Sequence, residues 1–206
     1  MWQITFQDVS MYFGAKQVIT GFTRTVRGGS ITAVTGANGS GKSTFLRLAG
    51  HLQRPTMGTV TVTQDGQELR RAALRQALGM VTPELRFYPR FTAWENMAFL
   101  LGLRGRELTQ AGYEASLAQV GLDPAAVAHT YTGEFSTGMR QRLKLAVLFL
   151  SGAGIWLLDE PGANLDAAGR AMVLAAARQA ADAGKLVLLA TNDPGEEAAA
   201  DAIIHL

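Results

Sequence analysis

Residues 36–44, Gly36-Ala37-Asn38-Gly39-Ser40-Gly41-Lys42-Ser43-Thr44, constrain this chain more than any other stretch. Glycines at 36, 39 and 41 let successive backbone N–H groups turn towards one point with no Cβ in the way. Lys42 adds a point charge that reaches the outer phosphates of a polyphosphate, and the Ser43 hydroxyl can ligate Mg²⁺. The flanks agree with this phosphate-binding reading. Ile31-Thr32-Ala33-Val34 reads as a strand entering the loop, and Phe45-Leu46-Arg47-Leu48 continues as a helix. That helix starts near Ser43 and points its positive end at the same anion. A glycine-rich turn without a ligand would satisfy the pattern in isolation; the strand before it and the helix after it decide for nucleotide binding.

A second site feature lies far downstream. Ile155-Trp156-Leu157-Leu158 is a wholly apolar run, too short for a helix, that ends in the adjacent carboxylates Asp159 and Glu160. In phosphoryl transfer an Asp at a strand end holds Mg²⁺ opposite the loop hydroxyl. A second carboxylate just beyond the strand can orient and deprotonate the attacking water. Acidic residues also merely solvate strand ends, so the pair gains meaning only from the phosphate loop upstream. On this reading Asp159 and Ser43 hold the metal, Glu160 is the general base and Lys42 a catalytic cation.

The remaining sequence fills in an α/β architecture. Strand-like segments occupy residues 2–7, 17–26, 30–35 and 59–63; residues 92–150 read mostly as helix, punctuated at Gly102, Gly105, Gly121 and Pro124. An alanine-rich helix over 167–183 stops at Gly184, and Leu186-Val187-Leu188-Leu189 is a second buried strand. Strands alternating with helices imply a parallel sheet. The expected organisation is a single 206-residue domain: residues 1–85 and 152–206 form the core with an N-terminal antiparallel β subdomain, and residues 86–151 form an inserted helical lobe. Cysteine is absent, which excludes a disulfide framework and thiolate chemistry. With 19 basic and 17 acidic residues, no global field advertises a nucleic acid. No basic and apolar leader opens the chain. Its longest uncharged apolar stretch, from Leu145 to Leu158, is interrupted by Gly152 and Gly154 and falls short of a membrane span.

Taken in order, these motifs resemble the ABC ATPases over essentially the whole chain. The phosphate loop and Asp159-Glu160-Pro161 match the family's Walker A and Walker B motifs. Between them, Phe135-Ser136-Thr137-Gly138-Met139-Arg140-Gln141-Arg142 resembles the signature segment that separates this family from other P-loop enzymes. The resemblance implies a P-loop NTPase fold that hydrolyses ATP with Mg²⁺. It implies that Ser136, Thr137, Gly138 and Met139 reach the γ-phosphate held by a second subunit in a head-to-tail dimer. Phe13, with Tyr12 beside it, falls where the family stacks an aromatic residue on adenine. Ala163-Asn164-Leu165-Asp166 resembles the loop that couples the two ATP sites, which adds Asp166 to the nucleotide site. Asn192 falls where the family carries its switch residue.

Three positions depart from the family pattern. The signature reads Ser-Thr-Gly-Met rather than Ser-Gly-Gly-Gln. Asn192 stands where His is usual, and an amide donates a hydrogen bond but cannot take a positive charge. Pro83 stands at the position of a metal-ligating Gln, leaving Glu84, next along, as a substitute donor. The resemblance implies a transporter subunit on the cytoplasmic face of the inner membrane, docked on separate permease chains, with a likeness to short bacterial export cassettes, the haem-exporter type included. Two other readings stay open: an ABC ATPase of translation or DNA repair, and a weakly hydrolysing regulatory cassette.

Overall fold

The apolar-polar alternation that opens the chain becomes one arm of a hairpin, β1 (Trp2–Phe13) and β2 (Lys16–Arg27). The computed structural model describes residues 1–206. β1 runs well beyond residue 7 because a bulge absorbs Asp8, at φ 49°, and the register shifts between Phe6 and Val9. Then follow β3 (Ser30–Thr35), α1 (Lys42–Ala49), β4 (Met57–Gln64), β5 (Gln67–Glu68), α2 (Arg71–Ala77) and β6 (Leu78–Val81). Four helices come next: α3 (Ala93–Gly102), α4 (Gln110–Gln119), α5 (Pro124–Val127) and α6 (Thr137–Leu150). The chain closes with β7 (Ile155–Asp159), α7 (Ala167–Asp182), β8 (Leu186–Ala190), α8 (Pro194–Ala198) and β9 (Ala202–His205). Two units emerge, one of Met1–Met80, Gly154–Glu160 and Leu174–Leu206, the other of Val81–Ala153 and Pro161–Val173.

The first unit carries two sheets. One is antiparallel in the order β2-β1-β4-β5; the other has the order β6-β7-β8-β3-β9, in which β7, β8, β3 and β9 pair in parallel. This is the α/β architecture expected, an antiparallel N-terminal sheet beside a parallel core. β7 and β8 are buried at every residue, which is why they read as unbroken apolar runs. The helix after the phosphate loop is anchored by rings. Phe45 on α1 stacks on Phe6 at 4.6 Å and meets Phe22 edge-on at 5.1 Å, so side chains from β1, β2 and α1 close one cluster. Beside β9, the edge strand of the parallel sheet, Arg178 on α7 binds both oxygens of Asp201, at 2.9 and 3.0 Å. The Ile31 N–H donates to the same carboxylate at 2.8 Å, which fixes the start of β9 against β3.

In the second unit, local capping starts each helix. Thr92 and Glu95 form a reciprocal capping box on α3, and Thr109, Asp123 and Ser136 cap α4, α5 and α6 through their side chains. Asn96 is 1% exposed, and its amide bridges the Tyr88 and Phe91 carbonyls to the Thr132 hydroxyl. A buried amide this well satisfied ties α3 to the segment that leads into α6.

Candidate functional site

In the first unit, a cavity of about 380 Å³ is lined by Phe13, Lys16, Val18, Asn38, Gly39, Gly41, Lys42, Ser43, Thr44 and Glu160. β3 delivers the loop and α1 leaves it, with Gly41 as the N-cap residue at φ 112°. A Cβ at Gly41 would lie 2.3 Å from Val18 Cγ1, so both backbone conformation and space demand glycine there. Lys42 is only 6% exposed; its Nζ donates to the carbonyls of Gly36 at 2.8 Å and Ala37 at 3.2 Å, and so closes the loop on itself. The Ser40 Oγ is buried and finds no hydrogen-bond partner within the protein. Phe13 is half exposed at the end of β1, with a ring free to take a planar ligand.

β7 brings its carboxylates to the same unit. Asp159 is 2% exposed at the strand end, paired in register with Ala190 of β8. Glu160 follows at φ 48°, a conformation rare outside glycine, and its N–H donates to the Ala190 carbonyl at 2.9 Å. One residue beyond that carbonyl the Thr191 N–H donates to Val34 O, and Asn192 Nδ2 donates to Asn38 Oδ1 of the phosphate loop. Asn192 therefore reaches the site through the loop.

These residues fit a nucleotide with Mg²⁺. A polyphosphate would satisfy the Ser40 hydroxyl and take over Lys42. Ser43 and Asp159 offer hard oxygen donors. No cluster of three or more His, Cys, Asp or Glu side chains suits a metal ion. Mg²⁺ needs none, since it is held by one or two carboxylates together with substrate phosphates.

The signature residues sit in the second unit, at the start of α6. Ser136 Oγ accepts the Met139 N–H at 3.1 Å as a cap, which leaves its own O–H to donate outward. A Cβ on Gly138 would come within 3.0 Å of the Asn164 carbonyl, so glycine lets the segment around Asn164 pack against α6. Asp166 uses Oδ1 to accept from the Gly169 N–H at 2.9 Å and from Arg142 at 2.7 Å. The Gly169 hydrogen bond, then Arg142, holds its carboxyl below the usual range. Lys144 Nζ donates to Thr82 O and Pro83 O at 2.8 and 3.3 Å. Burial lowers the Lys144 pKa, and the Glu84 charge partly offsets that, so Glu84 lies within reach of Lys144's charge.

Sequence reading misses Lys16 and Val18. The signal was present in the turn Gly14-Ala15, which sets Lys16 opposite Phe13. It also misses Gln141, 6% exposed, whose Nε2 donates to the Pro161 carbonyl at 2.9 Å and so braces the residue after Glu160.

Known proteins resemble this chain along nearly its whole length. The sequence profile of the ABC transporter family matches residues 19–163. The lipoprotein-releasing system ATP-binding protein LolD of Bordetella avium is 36% identical over 198 residues, 92% of this chain and 85% of its own. The glutamine transport ATP-binding protein GlnQ of Escherichia coli is 34% identical over 200 residues, 93% of this chain and 82% of its own. A dimeric ATP-binding cassette in a post-hydrolysis state, bound to ADP and Pi, shares the fold with a TM-score of 0.84 at 23% identity, over 98% of this chain and 94% of its own. The chain belongs to the ABC transporter family, and its relatives there are ATP-binding proteins.

Proposed function

We propose that this cassette binds Mg-ATP in the cavity beside the phosphate loop and uses its hydrolysis to drive a separate membrane permease. The observation that carries this reading is the cavity itself, which gathers Phe13, Lys42, Ser43 and Glu160 around one space. Phe13 stacks on adenine. Lys42 exchanges the Gly36 and Ala37 carbonyls for the β- and γ-phosphate oxygens, a charge-assisted contact stronger than the neutral ones it leaves. Ser43 and Asp159 hold Mg²⁺, which when bound neutralises charge on the phosphates. Glu160 accepts a proton from water as the water oxygen bonds to the γ-phosphorus and the bond to the β-phosphate oxygen breaks. The metal set rests on Ser43 and Asp159, with Glu84 as the further donor the sequence offers.

A second subunit completes the site. Its Ser136 hydroxyl and the N–H groups at the start of α6 form an anion site for the γ-phosphate. LolD and GlnQ, named for lipoprotein release and glutamine transport, resemble this chain at 36% and 34% identity. Near-equal likeness to two different cargoes supports a motor whose substrate is selected by the permease. No helix here is long and apolar enough to cross a membrane. Peripheral attachment through the permease follows from the proposed role.

The test is direct. Calorimetry should detect Mg-ATP binding to the wild-type chain and little or none to Lys42→Ala, which deletes the charge beside the phosphates. Unchanged affinity in that variant would overturn the assignment of the cavity.

A further inference from the structure

We propose that Asn192 is a positioning residue that acts on nucleotide through Asn38, by holding the outer turn of the phosphate loop, and that its amide does not engage the γ-phosphate itself. This inference rests on the nucleotide reading of the cavity. Its starting observation is the side-chain hydrogen bond from Asn192 Nδ2 to Asn38 Oδ1, which joins positions 154 residues apart.

The two ends of that bond differ in rigidity. The segment carrying Asn192 is fixed on both sides. The Thr191 N–H donates to Val34 O at 3.1 Å, Thr191 Oγ1 accepts the Asp193 N–H at 2.9 Å, and Asp193 Oδ1 accepts from the N–H groups of Gly195 and Glu196 at 2.7 and 3.1 Å. With its backbone so held, Asn192 keeps side-chain rotation as its main freedom. The loop turn is the looser partner at its tip: Ala37, Asn38 and Gly39 are exposed, and the Ser40 N–H on Ala37 O at 3.1 Å and the Lys42 ammonium on the Gly36 and Ala37 carbonyls hold the turn without touching the Asn38 side chain. A tie from a fixed point therefore restricts the looser partner.

The same strand end also holds Glu160, through its N–H to the Ala190 carbonyl. The end of β8 and the two residues after it thus set the carboxylate by main chain, at Ala190, and the phosphate loop by the Asn192 side chain. Asn192 Nδ2 has two hydrogens, and the side chain is drawn to Asn38. The chemical consequence concerns which phosphates are affected. Turning loop N–H groups inward serves the inner phosphates, which ADP and ATP share, whereas a switch contact to the γ-phosphate would favour ATP alone.

The experiment is a double-mutant cycle on the full chain, with Asn38→Ala, Asn192→Ala and the double variant, titrated with ADP and with ATP. An exposed neutral hydrogen bond is modest, so each single change should weaken both nucleotides by about two- to ten-fold. The double variant should be no weaker than the Asn38 variant, because the second change removes a tie already cut. The melting temperature without nucleotide should stay at the wild-type value, which separates positioning from general destabilisation. Two results would overturn the proposal: Asn192→Ala weakening ATP while leaving ADP unchanged, or the two single effects multiplying. A wild-type chain that bound neither nucleotide would instead remove the nucleotide reading, and this proposal with it.

Discussion

Glu160 holds an unfavourable backbone conformation, φ 48°, kept in place by its N–H bond to Ala190. Such strain costs of order 1–3 kcal/mol and persists where the surroundings over-determine it, which suits a group that must be aimed rather than merely present. Glu160→Gln keeps size and hydrogen bonding but removes the proton acceptor. Hydrolysis should fall by roughly 10²–10⁴-fold while ATP affinity stays, as read by phosphate release beside calorimetry. Normal turnover would take Glu160 out of the chemistry. At this scale Lys42, Ser43, Asp159 and Glu160 were legible in the sequence, because phosphate chemistry fixes residue types at short, local spacings. The Asn38–Asn192 pair was not, since nothing local announces a contact across 154 positions. Asp166 was legible as a motif, and its Oδ1 accepts from Gly169 and Arg142.

Elements built from continuous burial or local capping were the ones the sequence announced. β7 and β8 are apolar throughout, and the helices of the second unit open on Thr, Asp or Ser caps. β5, β6 and β9 stayed hidden because they are short; in β9 only Ile204 is buried, and Ile203 is 44% exposed. β9 depends instead on Asp201, whose carboxyl is held below its ordinary pKa first by the Arg178 hydrogen bond and then by the Ile31 N–H. A depressed carboxyl stabilises the fold above its unfolded pKa, and that stabilisation is lost as pH falls through the folded value. Asp201→Asn should therefore lower the melting temperature by about 2–4 °C near neutral pH, in line with a surface ion pair worth up to about 1 kcal/mol. The gap from wild type should close below pH ~4. A gap that persisted into acid would mean that the charge of Asp201 contributes nothing.

For the molecule as a whole, the proposed function makes the decisive state a pair of cassettes with two nucleotides shared between them. Light scattering of Glu160→Gln with Mg-ATP should give twice the 22.0 kDa of one chain, and a single mass with ADP, because the γ-phosphate is what the second subunit's Ser136 would bind. A monomer with saturating ATP would leave the signature without a partner. The parallel sheet has a further consequence, for birth rather than work. β3, which delivers the phosphate loop, pairs with β8 and β9 and with no strand made before them; Ile31 waits for Asp201, 170 positions away. At ribosomal speeds that wait lasts roughly ten to thirty seconds. Meanwhile the antiparallel sheet can close from residues already made, but the loop's own strand emerges with both edges bare, open to chaperones or to neighbouring nascent chains. A chain cut short before β8 therefore carries the complete phosphate-binding sequence and no strand against which to present it.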